Sequence, residues 1–257
     1  MTGPRIVLVT GGTRGIGAAI AAAFLAEGDT VLVCGRREPE EAPSADGRAA
    51  EFVQADVRDP EAAVAAIETV LDRHGRLDLL VNNAGGTPPG PAAEMSATSA
   101  TAVVTLNLLA PFFLAQRANQ SMQEQDDGGT IINIGSTAER RPAPGTALYA
   151  AAKSGLHGLT RALALEWAPK VRVVQVSPGP VETDGSARHY GGEEAFAAAS
   201  AQIGMGRFAR PEDVAAACVL LASPTARYIS GAELFVDGAG ETPGWLTAIE
   251  SLPRDEA

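Results

Sequence analysis

The chain has 257 residues, an apolar share of 46% and a formal charge of −11. This length and composition suit a globular protein with a substantial core and argue against disorder. The negative charge argues against binding to nucleic acid or to anionic membranes, because both require a basic surface. No apolar run reaches the roughly 18 residues of a membrane helix, and residues 1–5 leave no room for a signal peptide. We therefore expect a cytoplasmic protein, with Cys34 and Cys218 buried as reduced thiols.

Short apolar runs alternate with helix-forming segments along the chain. The predicted strands are residues 5–10, 30–34, 51–54, 77–81, 130–134, 171–176 and 232–236. The predicted helices are residues 16–27, 60–74, 98–125, 148–167, 193–203 and 211–222, and residues 38–50 form a surface connection with a turn of helix. Continuously apolar strands between helices predict a parallel sheet covered on both faces. No linker or repeat interrupts the pattern, so we expect one α/β domain over residues 1–240, followed by a tail over residues 241–257.

A glycine-rich turn separates the first predicted strand from the first helix. Gly11, Gly15 and Gly17 lie in this turn. Glycine is needed where the backbone approaches a pyrophosphate and where a helix packs closely on a strand. The free N–H groups of the helix N-terminus attract phosphates. A turn that merely needs a positive φ is the alternative, but the strand before and the helix after favour a dinucleotide site.

The residues after the second strand indicate which dinucleotide is bound. Folds that prefer NAD carry an acidic residue about 20 positions beyond the glycines, which binds the ribose 2′-hydroxyl. Here Arg36 and Arg37 occupy this stretch, with no carboxylate before Glu38. Arg36, with Arg14 from the glycine turn, would bind a 2′-phosphate by charge-assisted hydrogen bonds. NADP(H) is therefore the favoured cofactor, and a solvated arginine pair without a ligand is the alternative.

A tyrosine and a lysine one helical turn apart carry the predicted chemistry. Tyr149 and Lys153 are spaced i and i+4, so they share one helix face. A free phenol has a pKa of about 10, and a nearby ammonium lowers that pKa. Tyr149 is then able to exchange a proton with a carbonyl or alcohol oxygen. Ser136 follows a strand and would donate a hydrogen bond to the same oxygen.

These motifs together resemble the short-chain dehydrogenase/reductase family, and in particular its 3-oxoacyl-[acyl-carrier-protein] reductase-like ketoreductases. The resemblance covers residues 5–240 and rests on residues 10–17, 82–85 and 177–183 with Asn107, Ser136, Tyr149 and Lys153. It implies a doubly wound Rossmann-type α/β fold with seven parallel strands in the order 3-2-1-4-5-6-7. It also implies a homotetramer, with the helices around Asn107 and Tyr149 at one interface and the final strand and its helix at the other.

The resemblance assigns roles to individual residues. It implies a catalytic tetrad of Asn107, Ser136, Tyr149 and Lys153, in which Asn107 holds a water that links Lys153 to a proton relay. The resemblance favours Asp56 as an adenine contact, although an isolated aspartate at this position also suits a turn or a helix cap. Residues 82–85 would stabilise the sheet beside the adenosine, and residues 178–183 would close over the nicotinamide. The full predicted coenzyme site is Gly11, Thr13, Arg14, Gly15, Ile16, Gly17, Arg36, Arg37, Asp56, Val57, Asn83, Ala84, Gly85, Tyr149, Lys153, Pro178, Gly179, Val181 and Thr183.

Other polar residues are given weaker roles. The histidines lack metal-ligand spacing, so no metal is predicted; His157 is expected at a helix interface and His189 in the substrate loop. Ser136 lacks the Gly-x-Ser-x-Gly elbow of a hydrolase. Arg140 and Arg141 form either a solvated loop pair, which is favoured, or a site for an acidic carrier or a carboxylated substrate. The apolar residues of the tail, Trp245, Leu246 and Ile249, either pack on a neighbouring subunit or belong to a frayed terminus.

The expected function is NADPH-dependent reduction of a ketone to a secondary alcohol, with Tyr149 as the proton donor. The substrate is a small or carrier-bound ketone: a 3-oxoacyl thioester is the first choice and a secondary-metabolite ketone the next. A dehydrogenase that works toward oxidation is one alternative. A non-catalytic module that senses NADP is another, and the presence of both Tyr149 and Lys153 argues against it.

Overall fold

The computed structural model describes residues 3–88, 90–141, 143–183, 186 and 191–244. Its centre is a parallel sheet of seven strands. In chain order these are β1 (Ile6–Thr10), β2 (Thr30–Gly35), β3 (Glu51–Gln54), β4 (Leu79–Asn82), β5 (Gly129–Ile134), β6 (Val171–Pro178) and β7 (Glu233–Val236). They pair in the spatial order β3-β2-β1-β4-β5-β6-β7. The predicted doubly wound fold and its strand order are confirmed.

Helices cover both faces of the sheet. They are α1 (Gly15–Ala26), α2 (Pro60–His74), α3 (Ala97–Glu124), α4 (Ala147–Glu166), α5 (Glu193–Ala201) and α6 (Pro211–Ala222). Phe24 of α1 and Cys218 of α6 belong to the apolar core on one face. Ile67 of α2, Leu114 of α3 and Leu163 of α4 belong to the core on the other face. This double cover explains why every residue of β1 is buried and why the strands are continuously apolar.

The long helix α3 contains the turn that carries Asn107. Residues Thr105–Leu109 form a π-helical turn within it, and the side chain of Asn107 is fully buried there. By length and composition alone, α3 is long and apolar enough to cross a membrane, whereas no such segment was predicted. In this fold it packs on α2 and α4, with Leu114 and Met122 in the core.

The connection between β2 and β3 differs from the prediction. Residues 38–50 contain a small antiparallel hairpin, in which Ser44–Ala45 pairs with Arg48–Ala49, rather than a turn of helix. Asp46 and Gly47 at its tip both have positive φ, as a tight hairpin turn requires. The Asp-Gly pair was the signal for this hairpin in the sequence.

Two further expectations concern the cysteines and the tail. Cys34 and Cys218 are buried free thiols, as predicted, and burial raises the pKa of each to about 12. His189 and the tail residues Trp245, Leu246 and Ile249 lie outside the described residues. The start of the tail is described: Glu241 forms a bridge with Ile203, and the Thr242 amide donates to the carbonyl of Gln202 at 2.7 Å.

Candidate active site

The predicted site residues gather at one edge of the sheet. The segments that follow β1, β2, β3, β4, β5 and β6 hold nearly all of them, and the carboxyl ends of parallel strands share an edge. Tyr149 and Lys153 reach this edge from the first turns of α4. The exception is Asn107, which comes from the π turn of α3. The order of the strands reverses beside β1, so the edge opens into a crevice where such folds bind ligands.

The glycine turn after β1 is closely packed against the end of β4. A Cβ at Gly17 would lie 2.3 Å from the carbonyl oxygen of Gly11, so only glycine fits there. Asn83 holds the turn from the other side, because its side-chain amide donates to Thr10 O at 2.9 Å and to Gly11 O at 3.1 Å. The Thr10 hydroxyl accepts the backbone amides of Asn83 and Ala84. The backbone is therefore fixed close to where a dinucleotide phosphate would bind.

The arginines near this turn are available for an anion. Arg14, Arg36 and Arg37 are exposed, and their guanidinium groups form no hydrogen bond or ion pair with the described part of the chain. Arg14 is also the N-cap residue of α1, where the positive end of the helix dipole lies. These cations and the glycine turn fit the phosphates of a dinucleotide.

Asp56 already has a partner at the predicted adenine position. Its carboxylate accepts the backbone amide of Arg58 at 3.1 Å and the Arg58 Nη2 at 2.5 Å. The hydrogen bonds from Arg58 lower the pKa of Asp56. Asp59, rather than Asp56, caps helix α2. Asp56 is thus a turn residue in this structure, and its contact with adenine stays a prediction.

Ser136, Tyr149 and Lys153 converge at the end of β5. The Ser136 hydroxyl lies near enough to the Tyr149 hydroxyl to act on the pKa of the phenol, which it lowers. Lys153 is only 3% exposed and donates from Nζ to the carbonyl oxygen of Ile134 at 2.7 Å. The same Nζ lies 5.7 Å from the centroid of the Tyr149 ring. A proton donor, a second hydroxyl and an ammonium therefore occupy one small volume.

The pKa values in this group differ from the expectation in one respect. Burial raises the pKa of the Tyr149 phenol, and the Ser136 hydroxyl acts in the opposite direction. The pKa thus lies above its usual value, whereas a nearby Lys153 was expected to lower it; the Lys153 ammonium donates to the backbone carbonyl of Ile134. Burial also lowers the pKa of Lys153 to about 8, which the negative charge of Glu139 partly opposes.

Asn107 anchors the segment after β4. Its Oδ1 accepts the backbone amide of Gly86 at 2.9 Å, and its Nδ2 donates to Gly86 O at 2.8 Å and Val103 O at 2.9 Å. A Cβ at Gly85 would lie 2.9 Å from Asn107 Oδ1 and 3.3 Å from Lys153 Nζ. Asn107, Gly85 and Lys153 are therefore neighbours, and the expected water link between Asn107 and Lys153 stays a prediction.

The segment after β6 reaches across the crevice. Gly179 donates its amide to Val236 O at 3.0 Å, which extends the pairing with β7 beyond Pro178. Val181 forms a bridge with Ala209. The methyl group of Thr183 lies 3.8 Å from where a Cβ at Gly15 would stand. The end of β6 and the glycine turn after β1 are thus brought together, as a site closing over a coenzyme requires.

Comparisons with known proteins agree with this arrangement. The family model described as enoyl-(acyl carrier protein) reductase matches residues 11–240. A 3β-hydroxysteroid dehydrogenase of Eggerthella lenta is 39% identical over 241 residues, which cover 91% of this chain and 92% of that protein. The solved structure of a short-chain dehydrogenase/reductase from Serratia marcescens has a TM-score of 0.80 at 34% identity, over 92% of this chain and 98% of that one. The chain belongs to the short-chain dehydrogenase/reductase family.

A second structural neighbour extends the comparison to nearly the whole chain. The aldohexose dehydrogenase of Thermoplasma acidophilum, in ligand-free form, has a TM-score of 0.85 at 28% identity. The match covers 99% of this chain and 98% of that one. This short-chain dehydrogenase/reductase is therefore an oxidoreductase with a Rossmann-type fold whose family uses a nicotinamide coenzyme.

This short-chain dehydrogenase/reductase has a buried polar chain beneath its candidate site. Asn82 on β4 donates to Asn133 on β5 at 2.9 Å, and Asn133 donates to Thr160 on α4 at 2.9 Å. Thr160 in turn lies 3.4 Å from Oε1 of Gln175 on β6, and all four side chains are nearly or fully buried. Hydrogen bonds therefore link β4, β5 and β6. Ser136 follows β5, and residues of the predicted coenzyme site follow β4 and β6.

A polar cluster that was not predicted lies at the far end of this chain of hydrogen bonds. Gln175 donates to Glu139, which follows Ser136 by three positions, and to Glu233 on β7. His157 was expected at a helix interface, and its Nδ1 lies 3.5 Å from both carboxylates. One ligand atom from each of Glu139, His157 and Glu233 lies within 4.8 Å of the others, a group that could hold a metal ion although none was predicted. Spacing in the sequence gave no sign of this cluster, because pairing between β6 and β7 creates it.

The two loop arginines pair with carboxylates of the chain. Arg140 lies 3.2 Å from Glu233 and stacks at 4.1 Å from the centroid of the Phe235 ring. Arg141 forms ion pairs with Asp237 and Glu241. Both arginine side chains stay exposed, in agreement with the expected solvated pair, and a site for an acidic carrier stays a prediction.

Proposed function

We propose that this enzyme reduces a ketone to a secondary alcohol with NADPH as the hydride donor. The observation that carries the proposal is the convergence of Ser136, Tyr149 and Lys153 at the sheet edge that also holds the glycine turn. Bound NADPH would supply the hydride, which its nicotinamide transfers to the carbonyl carbon. The chain itself supplies the proton and holds the reacting oxygen.

The proposed roles follow from the contacts of each side chain. Ser136 donates a hydrogen bond to the carbonyl oxygen and stabilises the negative charge that develops there. Tyr149 gives its phenolic proton to the same oxygen, and its raised pKa keeps that proton in place until it is needed. Lys153 holds the nicotinamide ribose and supplies positive charge beside the phenol that has lost its proton. Asn107 completes the group by fixing Gly86 beside Lys153.

The preference for NADPH over NADH rests on three exposed cations. Arg14, Arg36 and Arg37 lie beside the glycine turn, and their guanidinium groups form no hydrogen bond or ion pair among the described residues, although the charge of Arg36 acts on Asp56. A 2′-phosphate would satisfy them with charge-assisted hydrogen bonds, whereas a 2′-hydroxyl would find no carboxylate acceptor between Gly35 and Glu38. The remaining proposed coenzyme contacts are those made by the segments after β3, β4 and β6.

The substrate proposal is a ketone on a small molecule or on a carrier, with a 3-oxoacyl thioester as the first candidate. The internal ion pairs of Arg140 and Arg141 reduce the charge available for an acidic carrier, which favours a free substrate. Oxidation of a secondary alcohol is the second candidate, because the relatives named above are called dehydrogenases of a hydroxysteroid and of an aldohexose. Both directions use the same three side chains.

We further propose a cytoplasmic homotetramer. Leu109 on α3 and Leu165 on α4 are exposed, and so are Leu220 on α6 and Tyr228 after it. These apolar side chains lie on the two surfaces that the family resemblance assigns to subunit interfaces, and burial between subunits would stabilise them. Light scattering coupled to gel filtration tests the assembly, and a monomer at micromolar concentration would contradict it.

Turnover measurements test the function. Wild-type enzyme should oxidise NADPH when offered members of a panel of 3-oxoacyl thioesters and aliphatic, cyclic and steroidal ketones. Tyr149→Phe should lower kcat by about a thousandfold or more, because it removes the proton donor, while the Kd for NADPH stays within about threefold. NADPH binding without turnover of any ketone, or of any alcohol with NADP, would leave the non-catalytic sensor as the better account.

A further inference from the structure

Arg141 joins two segments that lie far apart in the sequence. It belongs to the loop between Ser136 and Tyr149. Its guanidinium forms one ion pair with Asp237 and a second with Glu241. Nη2 donates to Asp237 and Nη1 to Glu241, so different carboxylates hold the two arms of one planar fork. The loop after β5 is therefore attached to the first residues after β7.

The backbone beneath this guanidinium is shaped to receive it. Gly240 is buried, although its two neighbours in the chain are exposed. A Cβ at Gly240 would lie 2.8 Å from Arg141 Cζ and 3.0 Å from Nη2, so the guanidinium occupies the space that any other side chain would need. Gly238, Ala239 and Gly240 all have positive φ. This conformation is strained for an alanine, so the turn persists because its surroundings hold it.

The same turn is hydrogen bonded to the end of the segment that follows β6. The Gly204 amide donates to Gly240 O at 2.9 Å. The Met205 amide donates to Gly238 O at 3.0 Å. The turn therefore contacts both Arg141 and the segment after β6, and it transmits the position of one to the other.

These three segments border the reacting end of the crevice. They follow β5, β6 and β7, whose carboxyl ends share an edge of the sheet. The segment after β6 leaves this edge at Val181 and returns to it at Ala209, where the two residues form a bridge. Asp237 packs on Gly179 of the predicted coenzyme site, since a Cβ at Gly179 would lie 3.0 Å from Asp237 Cβ. A ketone beside the nicotinamide would therefore lie next to these segments.

We propose that Arg141 is a positioning residue for the substrate, which joins the segments after β5, β6 and β7 into one wall of the pocket. The proposal rests on the function proposed above, because that function assigns Ser136 and Tyr149 to the reacting oxygen. Arg141 acts through the turn at residues 238–240 and does not itself touch the ketone or the coenzyme. A single exposed ion pair stabilises a protein little. Here one guanidinium closes two ion pairs and covers a buried glycine, so its removal frees a whole wall.

Hydrogen exchange tests this arrangement without any need for turnover. In Arg141→Gln, the amides of Gly204 and Met205 should exchange about fivefold faster or more, because the turn that accepts their hydrogen bonds is released. The matched control Arg73→Gln breaks an ion pair of similar exposure with Glu51, on the strand at the opposite edge of the sheet, and should leave this exchange unchanged. Unchanged exchange in Arg141→Gln, or an equal increase in Arg73→Gln, would overturn the proposal.

Kinetics test the positioning role. Arg141→Gln should raise the KM for the ketone about tenfold, while kcat and the Kd for NADPH stay within about threefold, because the proton donor and the coenzyme turn are unchanged. Asp237→Asn/Glu241→Gln should raise this KM to the same degree, since it removes both negative charges that hold the guanidinium. A KM equal to that of the wild type in Arg141→Gln, or a loss confined to kcat, would contradict the role.

A triple variant decides whether the three side chains act as one unit. Arg141→Gln/Asp237→Asn/Glu241→Gln should have the same KM as Arg141→Gln alone, because both ion pairs are already lost in the single variant. A further increase equal to that of the double variant would show that the side chains act independently, which would refute the proposal. Absence of turnover in the wild type would refute the proposed function alone, because the hydrogen-exchange result would stand.

Discussion

Lys153 donates to the carbonyl oxygen of Ile134 at 2.7 Å, while its ammonium lies 5.7 Å from the centroid of the Tyr149 ring. The backbone of β5 therefore fixes the ammonium close to the Tyr149 side chain. Because Lys153 is almost fully buried, its ionisation becomes sensitive to pH near neutrality.

The activity should fall in alkaline solution. Burial lowers the pKa of Lys153 from 10.5 to about 8, so the ammonium is present below that pH and is lost above it. We expect kcat to decline as pH rises through about 8. Lys153→Arg should move the decline to higher pH at a reduced maximal rate, because a guanidinium stays charged. Lys170→Arg, at an exposed lysine, is the control; the same alkaline decline in all three proteins would assign it to another group.

Arg36 should determine the choice of coenzyme. Removal of its charge-assisted hydrogen bond to a 2′-phosphate should cost about 1.5–3 kcal/mol, or roughly a tenfold to hundredfold increase in the Kd for NADPH. Arg36→Ala should leave the affinity for NADH almost unchanged, which isothermal titration can measure. Arg227→Ala removes an exposed arginine outside the predicted site and serves as the control. Equal losses for NADPH and NADH would show that Arg36 does not bind the 2′-phosphate.

The glycine turn should not tolerate even one methyl group at its helix end. Gly17→Ala would put Cβ 2.3 Å from the carbonyl oxygen of Gly11, a distance that forces the backbone to move. We expect loss of NADPH binding and a decrease of about 1–3 kcal/mol in the free energy of unfolding. Gly158→Ala is the matched control, because nothing lies within 4 Å of its Cβ on the exposed face of α4. That change should stabilise the helix by roughly 0.5–1 kcal/mol; a Gly17→Ala enzyme with normal NADPH affinity would refute the close fit.

Asn107 should be necessary for stability as well as for activity. Asn107→Ala leaves the backbone N–H and C=O of Gly86 without their side-chain partner. Gly86 is exposed, so water can reach these groups, and each lost hydrogen bond costs about 0.5–1.5 kcal/mol; the free energy of unfolding should still fall even though alanine is the better helix former. Urea unfolding compares this variant with Gln116→Ala, which removes an exposed side chain from the same helix. A smaller loss in Asn107→Ala than in Gln116→Ala would contradict this account.

The fold and much of the site could be predicted from local patterns. Two examples are the apolar strands that end at a glycine and the pair Tyr149 and Lys153, one helical turn apart. Such patterns depend only on residues that are close in sequence, so they can be recognised before the fold is known. The hairpin at Asp46 and Gly47 was also predictable from its turn residues. By contrast, Glu139 and Glu233 meet only because β7 pairs with β6, and the direction of the Lys153 ammonium depends on the backbone of β5. Contacts between distant parts of a chain leave no periodic trace in its sequence.

The crevice is divided between two halves of the sheet, and this division affects how the substrate specificity of the enzyme can be changed. The phosphate-binding turn and Arg36 belong to the half formed by β1–β3, whereas the segments after β5–β7 face the reacting end. The two halves meet through Asn83, which binds the glycine turn, and through the buried polar chain that begins at Asn82. Grafting a foreign stretch over residues 191–206, which lie beyond Thr183 of the coenzyme site, would leave both halves of that junction intact. Libraries confined to this stretch should therefore alter which molecule reacts without altering which coenzyme is consumed.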